Sequence, residues 1–346
     1  MDSHSRKGIL FAIAAAALFG GCMPFAKLLL ASVDPWMLAG LLYLGSGLGL
    51  SLLRLIRPRA EVRLGAGDWP WLMGAILSGG VAGPVLLMLG LSGAGAATSS
   101  LLLNAEGVFT ALLAWMAFRE NVDRRILLGM AAILAGAIEL SWTGGAVEVS
   151  WPALAILGAC FCWGIDNNLT RKVSLSDPFQ IAAWKGLAAG LTNVLLALLL
   201  GAKLPGWSLL AQSAGLGFLG YGLSLAAFVL ALRWLGTART GAYFSTAPFV
   251  GALLSVPVLG EALDARLLSA GALMAVGVVL HLMERHEHDH IHGEMDHEHA
   301  HAHDAHHSHD HPEGEAAGEH VHRHSHSPLR HRHSHYPDAH HRHRHG

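Results

Sequence analysis

Long apolar segments, separated by short polar connections, follow one another from the N-terminus to about residue 284. A bilayer core about 30 Å thick requires about 20 apolar residues in a spanning α-helix. Segments of that length lie at 8–31, 36–56, 70–91, 96–118, 125–143, 151–173, 178–200, 207–231, 236–259 and 266–284. The pattern therefore predicts an all-α polytopic membrane protein with about ten transmembrane helices.

Basic residues in the connections predict the orientation of these helices. Arg57, Arg59 and Arg63 follow the second segment, and Arg124 and Arg125 precede the fifth. If the N-terminus is cytoplasmic, these connections lie on the cytoplasmic side, as the positive-inside rule requires. Because the number of predicted crossings is even, we expect both termini to be cytoplasmic.

The chain contains an internal repeat. The stretch 19–35 aligns with 161–178, and the stretch 119–125 aligns with 260–266. The matched positions are Phe19-Gly20 with Trp163-Gly164, Lys27 with Arg171, Asp34-Pro35 with Asp177-Pro178, Asn104 to Gly107 with Ser245 to Pro248, and Glu120 with Glu261. Each half contains about five predicted helices, an odd number, so the two copies cross the membrane in opposite directions. We therefore predict two inverted five-helix repeats, at 1–144 and 145–285.

With these motifs the chain resembles the EamA-type transporters of the drug/metabolite transporter (DMT) superfamily. The resemblance covers residues 8 to about 284 and rests on the Phe19-Gly20 and Trp163-Gly164 motifs, the two Asp-Pro turns, Glu120, Glu261 and the glycine-rich stretch 129–136. It implies a secondary carrier in a bacterial inner membrane, often an exporter of metabolites, amino acids or foreign compounds.

Two features depart from the pattern of the relatives that the chain resembles. Many of them carry an arginine in the second helix, where this chain reads Leu41-Leu42-Tyr43-Leu44. Glu106 stands at a position that is often apolar in relatives. The resemblance therefore does not supply the substrate.

The composition agrees with a membrane protein and excludes an ordinary soluble domain. The chain of 346 residues is 52% hydrophobic and 14% charged, and its mean hydropathy is +0.41. Its formal net charge of -2 indicates no general affinity for nucleic acid. The cysteines lie in apolar segments without the spacing of a zinc site. Since no nucleophile–base set or phosphate-binding loop stands out, we predict neither an enzyme nor a required cofactor.

Ionisable and amide residues inside the apolar segments are the candidates for a functional site. A charge at the bilayer centre costs about 2.5–3.5 kcal/mol on insertion scales, so such residues normally face the bundle interior or a wet cavity. The candidates are Asn104 and Glu106 in the fourth segment, Asp166 and Asn167 in the sixth, and Lys185 in the seventh. A carboxylate removed from water takes up a proton more readily, which suits a group that couples transport to protons. We expect these residues to form a substrate and coupling site.

A structural interpretation of the same residues stays open. Lys185 could form a static interhelical ion pair with Asp166 or with Glu106. Asn167 and Asn168 could join helices through hydrogen bonds. In that interpretation the polar residues hold the bundle together and take no part in transport.

Charged residues nearer the ends of the segments favour structural roles. Lys27 lies toward the outer part of the first segment, where its long stem can extend outward. Glu139 lies near the end of the fifth segment and could reach the interface. Glu120 and Glu261 follow helix ends, where a helix cap or a surface salt bridge is expected.

The composition changes completely at residue 286. Histidines alternate first with acidic residues and later with arginine, so we expect 286–346 to be a disordered cytoplasmic tail. Neutral imidazole binds borderline ions such as Zn, Ni, Co and Cu. The histidines expected to bind such ions are His286, His288, His290, His292, His297, His299, His301 and His303.

The sequence favours one function and leaves two alternatives. The favoured function is a proton- or ion-coupled carrier that moves a small metabolite, amino acid or drug-like compound outward across the lipid bilayer by alternating access, as a monomer or a homodimer. The first alternative is a divalent transition-metal transporter that uses the tail to collect or sense metal. The second is a non-transporting membrane protein that tethers a metal-buffering tail.

Overall fold

The computed structural model describes residues 3–56, 64–118, 124–142, 150–173, 177–282, 287–292, 295–301, 320–326 and 329–334. The helices of the first half are α1 (Ser3–Leu29), α2 (Pro35–Ile56), α3 (Trp69–Ala75), α4 (Gly83–Gly93), α5 (Ala96–Leu102), α6 (Ala105–Phe118) and α7 (Arg124–Ser141). Those of the second half are α8 (Trp151–Thr170), α9 (Pro178–Leu199), α10 (Trp207–Gly217), α11 (Ser224–Phe244), α12 (Ala247–Leu259) and α13 (Ala265–Leu282). Short 3-10 turns at Ala66–Asp68 and Arg171–Val173 extend α3 and α8.

The length and composition of these helices confirm a polytopic all-α membrane protein. Within the described ranges, six helical segments combine at least 18 residues with the hydropathy of a membrane span. They are Arg6–Leu29, Pro35–Ile56, Ala66–Gly93, Ala96–Met116, Phe179–Leu199 and Trp207–Ala231, and two shorter apolar helices lie at Ala247–Leu259 and Ala265–Leu280.

Each repeat packs its helices against those of the other. α2 packs along α9 and α7 along α13, which are equivalent helices of the two repeats. α1 packs against α11 and α12, and its equivalent α8 packs against α4 and α6. The largest buried apolar cluster accordingly joins both halves, with Met37 and Leu87 from the first and Ile156 and Met274 from the second. This exchange of equivalent contacts is expected of two inverted copies.

The helix interruptions also follow the repeat. π-helical turns at Ile76–Ala82 and Phe218–Leu223 join α3 to α4 and α10 to α11, at matching positions of the two copies. Non-helical turns separate α5 from α6 at 103–104 and α12 from α11 at 245–246, again at matching positions. Carriers with inverted repeats commonly bind substrate beside such discontinuous helices.

The contact between α2 and α9 is a close approach of two backbones. A Cβ added to Gly47 would lie 2.5 Å from the Leu187 backbone nitrogen, and one added to Gly186 would lie 2.7 Å from the Gly47 nitrogen. Small residues permit this approach. In a bilayer no hydrophobic effect drives helices together, so close van der Waals packing of this kind stabilises their contact. The same contact fixes the rotation of α9 and therefore the direction in which Lys185 leaves it.

The stretch Ser224–Phe244 reverses its direction between the predicted eighth and ninth segments. The hydropathy pattern separates a segment ending at 231 from one beginning at 236, and the backbone of α11 is helical on both sides of this boundary. The ring centroids of Phe228 and Phe244 lie 4.9 Å apart, whereas positions 228 and 244 of a straight helix would lie about 24 Å apart. The chain therefore turns back within α11, as it does between α4 and α5 in the first repeat.

Four strands lie in the described parts of the tail. β1 (Glu287–His292) pairs antiparallel with β4 (Leu329–Ser334), and β2 (Met295–His301) pairs antiparallel with β3 (His320–His326). The alternation of histidine with other residues has the period of a β-strand. The disorder expected of 286–346 as a whole stays a prediction.

Candidate functional site

Glu106 lies in the first turn of α6, directly after the helix break at 103–104. The N-terminus of a helix carries partial positive charge and free backbone amides, so it stabilises a carboxylate at this position. The side chain is half-buried. Across the described ranges, no lysine or arginine side chain forms an ion pair with it.

Amide and hydroxyl groups hold Glu106 against the second repeat. The Asn167 Nδ2 atom of α8 donates to Glu106 Oε1 at 2.9 Å and to Thr110 Oγ1 at 3.2 Å. The Asn168 amide donates to the Thr110 carbonyl at 3.1 Å and to the Gly164 carbonyl at 2.8 Å. Asn167 itself is exposed, so this carboxylate lies at the edge of the helix packing. We call Glu106, Thr110 and Asn167 the carboxylate cluster.

Asp166 and Lys185 form an ion pair between α8 and α9. The Lys185 Nζ atom lies 2.5 Å and 2.7 Å from the two carboxylate oxygens of Asp166, which is 6% exposed. The Thr170 hydroxyl donates to Asp166 Oδ1 at 2.8 Å and accepts from Lys185 at 3.3 Å. Of the two partners that the sequence left open for Lys185, the packing selects Asp166. Two adjacent residues of α8 therefore have different partners. Asn167 contacts the Glu106 carboxylate, which has no basic partner in the described ranges, whereas the charge of Asp166 is neutralised by Lys185.

The π-helical turn of the first repeat adjoins this ion pair. The Gly79 carbonyl accepts hydrogen bonds from Tyr43 Oη at 3.0 Å and from Trp163 Nε1 at 2.9 Å. A π-helical turn releases carbonyl groups from the regular ladder, so they are available to side-chain donors. The buried Asn193 amide donates to the next carbonyls, those of Gly80 at 3.2 Å and Val81 at 3.4 Å.

The backbone of this turn lies directly on the Asp166 carboxylate, which yields a prediction. A Cβ added to Gly79 would lie 2.0 Å from Asp166 Oδ2. We expect Gly79→Ala to displace the ion pair and to cost about 1–3 kcal/mol of stability, seen as a lower midpoint of thermal unfolding in detergent. Gly215→Ala is the control, because nothing lies within 4 Å of a Cβ there. Equal midpoints for the two variants would contradict the prediction.

Asn104 lies in the helix break and not in the carboxylate cluster. Its side chain is 7% exposed, and its Nδ2 atom donates to the Leu101 carbonyl at 2.9 Å and contacts Met274 Sδ at 3.9 Å. These contacts satisfy the end of α5 and join it to α13. Asn104 therefore supports the position of Glu106 through the backbone that connects them.

Further residues of the site are polar residues that the sequence places inside apolar segments. Thr110, Thr170 and Asn193 are polar residues inside apolar segments, so the criterion that selects Glu106 could have found them. Tyr43 carries a weaker signal, because a tyrosine in a membrane helix costs little. Its role depends on the carbonyl of Gly79, which only the packing of α2 beside the π-helical turn reveals.

A row of half-buried aromatic side chains connects the two repeats beside the site. The ring centroids of Phe19 and Tyr221 lie 5.6 Å apart, those of Tyr43 and Tyr221 5.5 Å, those of Phe19 and Phe244 5.6 Å, and those of Phe228 and Phe244 4.9 Å. These spacings are typical of interacting aromatic pairs. Tyr43 belongs both to this aromatic row and to the hydrogen bonds at Gly79, so the row reaches the polar site.

Two charged residues outside the cluster cap the junction between α4 and α5. The Lys27 ammonium donates to the carbonyls of Leu91, Ser92 and Ala94. The Glu261 carboxylate accepts from backbone amides at the start of α5, as its position after a helix end predicts. Glu139 accepts from the Ser269 hydroxyl. Glu120 lies outside the described residues.

The metal prediction falls mainly on residues whose side chains are not described. His286 and His303 lie outside the described ranges, and the other six predicted histidines lie in β1 and β2. In the part of the chain whose side chains are described, no three His, Cys, Asp or Glu residues are arranged to hold a metal ion.

The structure has long apolar helices, two repeats whose helices pack against each other, and ionisable groups between those helices. These features are typical of a polytopic membrane transporter. The comparison with protein families makes this specific. The model of the EamA-like transporter family matches residues 6–142 and, a second time, residues 150–283. The chain therefore belongs to the EamA-like transporter family, and the two matches coincide with the two repeats.

A relative and a solved structure resemble the chain over most of its length. A protein of Methanothermobacter thermautotrophicus described as an uncharacterized transporter is 27% identical over 294 residues, which cover 79% of this chain and 85% of the relative. The crystal structure of another protein is 19% identical in sequence, the match covers 82% of this chain and 99% of that one, and the TM-score is 0.60. The latter supports the fold alone.

Proposed function

We propose that the protein is a proton-coupled secondary carrier that exports a small organic metabolite, with Glu106 as the coupling group. The observation that carries the proposal is the half-buried Glu106 carboxylate, which contacts the second repeat through Asn167 without a basic partner in the described ranges. A carboxylate in that setting can change its charge during a transport cycle, whereas the Asp166–Lys185 pair is already neutralised.

Protonation of Glu106 would change the hydrogen bond that joins it to α8, and this change would couple proton binding to transport. The ionised carboxylate accepts the hydrogen bond from Asn167 and is favoured by the helix N-terminus. The protonated acid loses most of that advantage, so its contact with α8 weakens. Because Glu106 belongs to the first repeat and Asn167 to the second, protonation alters the attraction between the halves that alternating access must separate.

The aromatic row supports an organic substrate. The five rings, Phe19, Tyr43, Tyr221, Phe228 and Phe244, are half-buried and come from both repeats. Aromatic walls with a few directed polar groups are typical of sites for small organic molecules. We propose a substrate with an apolar or aromatic portion against this row and a polar group near Glu106. The direction of transport, a bacterial inner membrane and cytoplasmic termini belong to the same proposal.

The test is a flux assay in reconstituted vesicles. Purified protein is placed in vesicles with an imposed pH gradient and an internal pH dye, and amino acids, aromatic metabolites and divalent metal ions are added one class at a time. We expect an organic compound to trigger proton movement that empty vesicles lack. Metal-driven flux with no response to any organic compound would overturn the proposal.

Divalent metal transport is the second candidate, because histidine recurs at every second position of β2 and β3. The β2–β3 register aligns histidine positions at alternate pairs: His297 with His324, His299 with His322, and His301 with His320. Neutral imidazole binds borderline ions such as Zn, Ni, Co and Cu. This composition supports metal binding by the tail more directly than it supports metal transport.

Removing the tail separates the candidates. We expect a chain ending at residue 285 to retain organic flux within about twofold, because the family match ends at residue 283 and the site lies before it. Loss of metal-driven flux on truncation would favour the metal carrier. A full-length protein with no flux of either kind, but with bound metal that truncation removes, would identify a tether.

A further inference from the structure

Within the described ranges, Glu106 carries a negative charge that no basic side chain compensates. Its carboxylate accepts from the Asn167 amide at 2.9 Å, which supplies a hydrogen bond but no charge. The neighbouring Asp166 carboxylate is bound by Lys185 at 2.5 Å and 2.7 Å, so the fields of these two opposite charges largely cancel. The site therefore presents one net negative charge to a group that binds beside Glu106.

The contact between Glu106 and Asn167 is open on one side. Glu106 is half-buried near the middle of the apolar segment Ala96–Met116, and Asn167 is exposed. A carboxylate and an amide at that depth normally face a wet cavity and not lipid. A substrate group can therefore reach the carboxylate from this open side.

The aromatic row reaches the same region through Tyr43. The Tyr43 hydroxyl donates to the Gly79 carbonyl at 3.0 Å, and a Cβ added to Gly79 would lie 2.0 Å from Asp166 Oδ2. The ring centroids of Tyr43 and Tyr221 lie 5.5 Å apart, which joins this contact to the rest of the row. The faces of aromatic rings are negative and attract a cation, above all a substituted ammonium group.

The basic side chains described near the site are already engaged. Lys185 is bound by both Asp166 oxygens and by the Thr170 hydroxyl. Lys27 donates to three backbone carbonyls at the turn between α4 and α5. A substrate with a carboxylate would bring a second negative charge close to Glu106 without gaining a basic partner, and such like-charge contacts are unfavourable.

We infer that the transported substrate is an organic monocation, a protonated or quaternary amine, whose charged group binds Glu106 and whose apolar portion lies on the aromatic row. The inference rests on the proposed carrier function and names its substrate class. When the cation binds, the protonated Glu106 carboxyl group releases its proton to water, and the carboxylate that remains pairs with the ammonium group. One proton is exchanged for one cation, so total charge is conserved and proton entry drives export of the amine.

The pH dependence of this exchange comes from Glu106. α6 packs against α7 and α8. The titratable or charged residues of these two helices are Arg124, Arg125, Glu139, Cys160, Cys162 and Asp166. Guanidinium and thiol groups keep their protonation state between pH 5 and about 7. Asp166 is held in its ion pair, and Glu139 contacts Ser269 of α13, away from Glu106.

The test measures how ligands of different charge bind to the full-length protein in nanodiscs, by isothermal titration calorimetry. The probes are benzyltrimethylammonium, 2-phenylethanol, phenylacetate and phenylalanine, which share a phenyl group and differ in charge. We expect the cation to bind at least about tenfold more tightly than the other three, because it alone brings a single positive charge to Glu106. Its charge is fixed, so a change of affinity with pH reports the protein.

Competition with a proton has a specific signature. Below the pKa of Glu106, each unit fall in pH should weaken benzyltrimethylammonium binding about tenfold, with one proton released for each cation bound. Glu106→Gln should lower the affinity at least about tenfold and remove the pH dependence, whereas Glu106→Asp should keep it. The comparison of the four probes uses the parent protein and does not depend on the folding of any variant.

A second variant tests the aromatic row. Phe244→Leu removes a ring that contacts Phe19 and Phe228, and it should weaken binding of the cation about threefold to tenfold with the pH dependence unchanged. Phe25→Leu is the control, because Phe25 is an exposed ring of α1 outside the row, and it should bind like the parent. Thermal midpoints are measured for every variant.

The substrate class and the carrier function fail separately. Binding of 2-phenylethanol, phenylacetate or phenylalanine as tight as that of the cation, or cation binding that does not change with pH, would overturn the inference. Flux of a neutral or anionic organic compound alone would keep the carrier and exclude the cation. Cation binding with proton release, but without flux of any organic compound in vesicles, would support the ligand class and contradict transport.

Discussion

Glu106→Gln is expected to abolish proton movement triggered by substrate, lowering it by at least about a hundredfold, while the protein inserts and folds normally. General acid–base groups contribute factors of about 10² or more where a proton must be transferred. Glutamine preserves the size of the side chain and can still accept from Asn167 through its carbonyl oxygen. It cannot take up a proton, so the attraction between α6 and α8 no longer changes during the cycle.

The experiment compares flux and folding in the same preparations. Initial rates of proton movement are measured in vesicles, and insertion is checked by the elution profile of the solubilised protein. Glu139→Gln is the matched control, since Glu139 is a carboxylate near the end of α7 that accepts from Ser269, away from the carboxylate cluster. Full flux in Glu106→Gln, or equal losses in the two variants, would exclude Glu106 as the coupling group.

Removing either partner of the Asp166–Lys185 pair is expected to cost about 3–5 kcal/mol of stability, because it leaves an uncompensated charge in a buried site. Asp166 is 6% exposed, and the two groups approach within 2.5 Å. Asp166→Asn leaves the ammonium group with neutral acceptors alone, the new amide oxygen and the Thr170 hydroxyl, so its charge is no longer compensated. The double variant Asp166→Asn/Lys185→Met removes both charges, and we expect it to recover most of the lost stability.

A double-mutant cycle measures the coupling between these two residues. Thermal midpoints of the parent, both single variants and the double variant are determined in the same detergent, and the interaction energy is the departure from additivity. Arg54 and Asp177 offer a weaker comparison, since their side chains are more exposed and lie 3.8 Å apart. If the double variant is as unstable as the sum of the single variants, the pair contributes no coupling and the structural interpretation is wrong.

Much of the site was predictable because burial of polar groups in lipid is costly. Glu106, Asp166 and Lys185 stand out in apolar segments for that reason alone, and the structure brings all three to helices of the repeat interface. The sequence could not decide the partner of Lys185. That choice depends on the rotation of α9, which is set where Gly186 meets the backbone of α2.

Other features required the packed structure for a related reason. The donors at the Gly79 carbonyl, Tyr43 and Trp163, come from different helices, and their meeting depends on a π-helical turn without a hydropathy signature. The strands of the tail depend on pairing between segments that are distant in sequence, since β1 pairs with β4 and β2 with β3.

The sequence by itself determined the membrane class, the two repeats and the short list of charged residues, because hydropathy, duplication and the cost of a buried charge act locally along the chain. Only the tertiary structure decided that Lys185 pairs with Asp166, that Glu106 has no basic partner in the described ranges, and that Lys27 and Glu261 bind the ends of α4 and α5. Those decisions depend on distances between helices, and no local pattern encodes such distances.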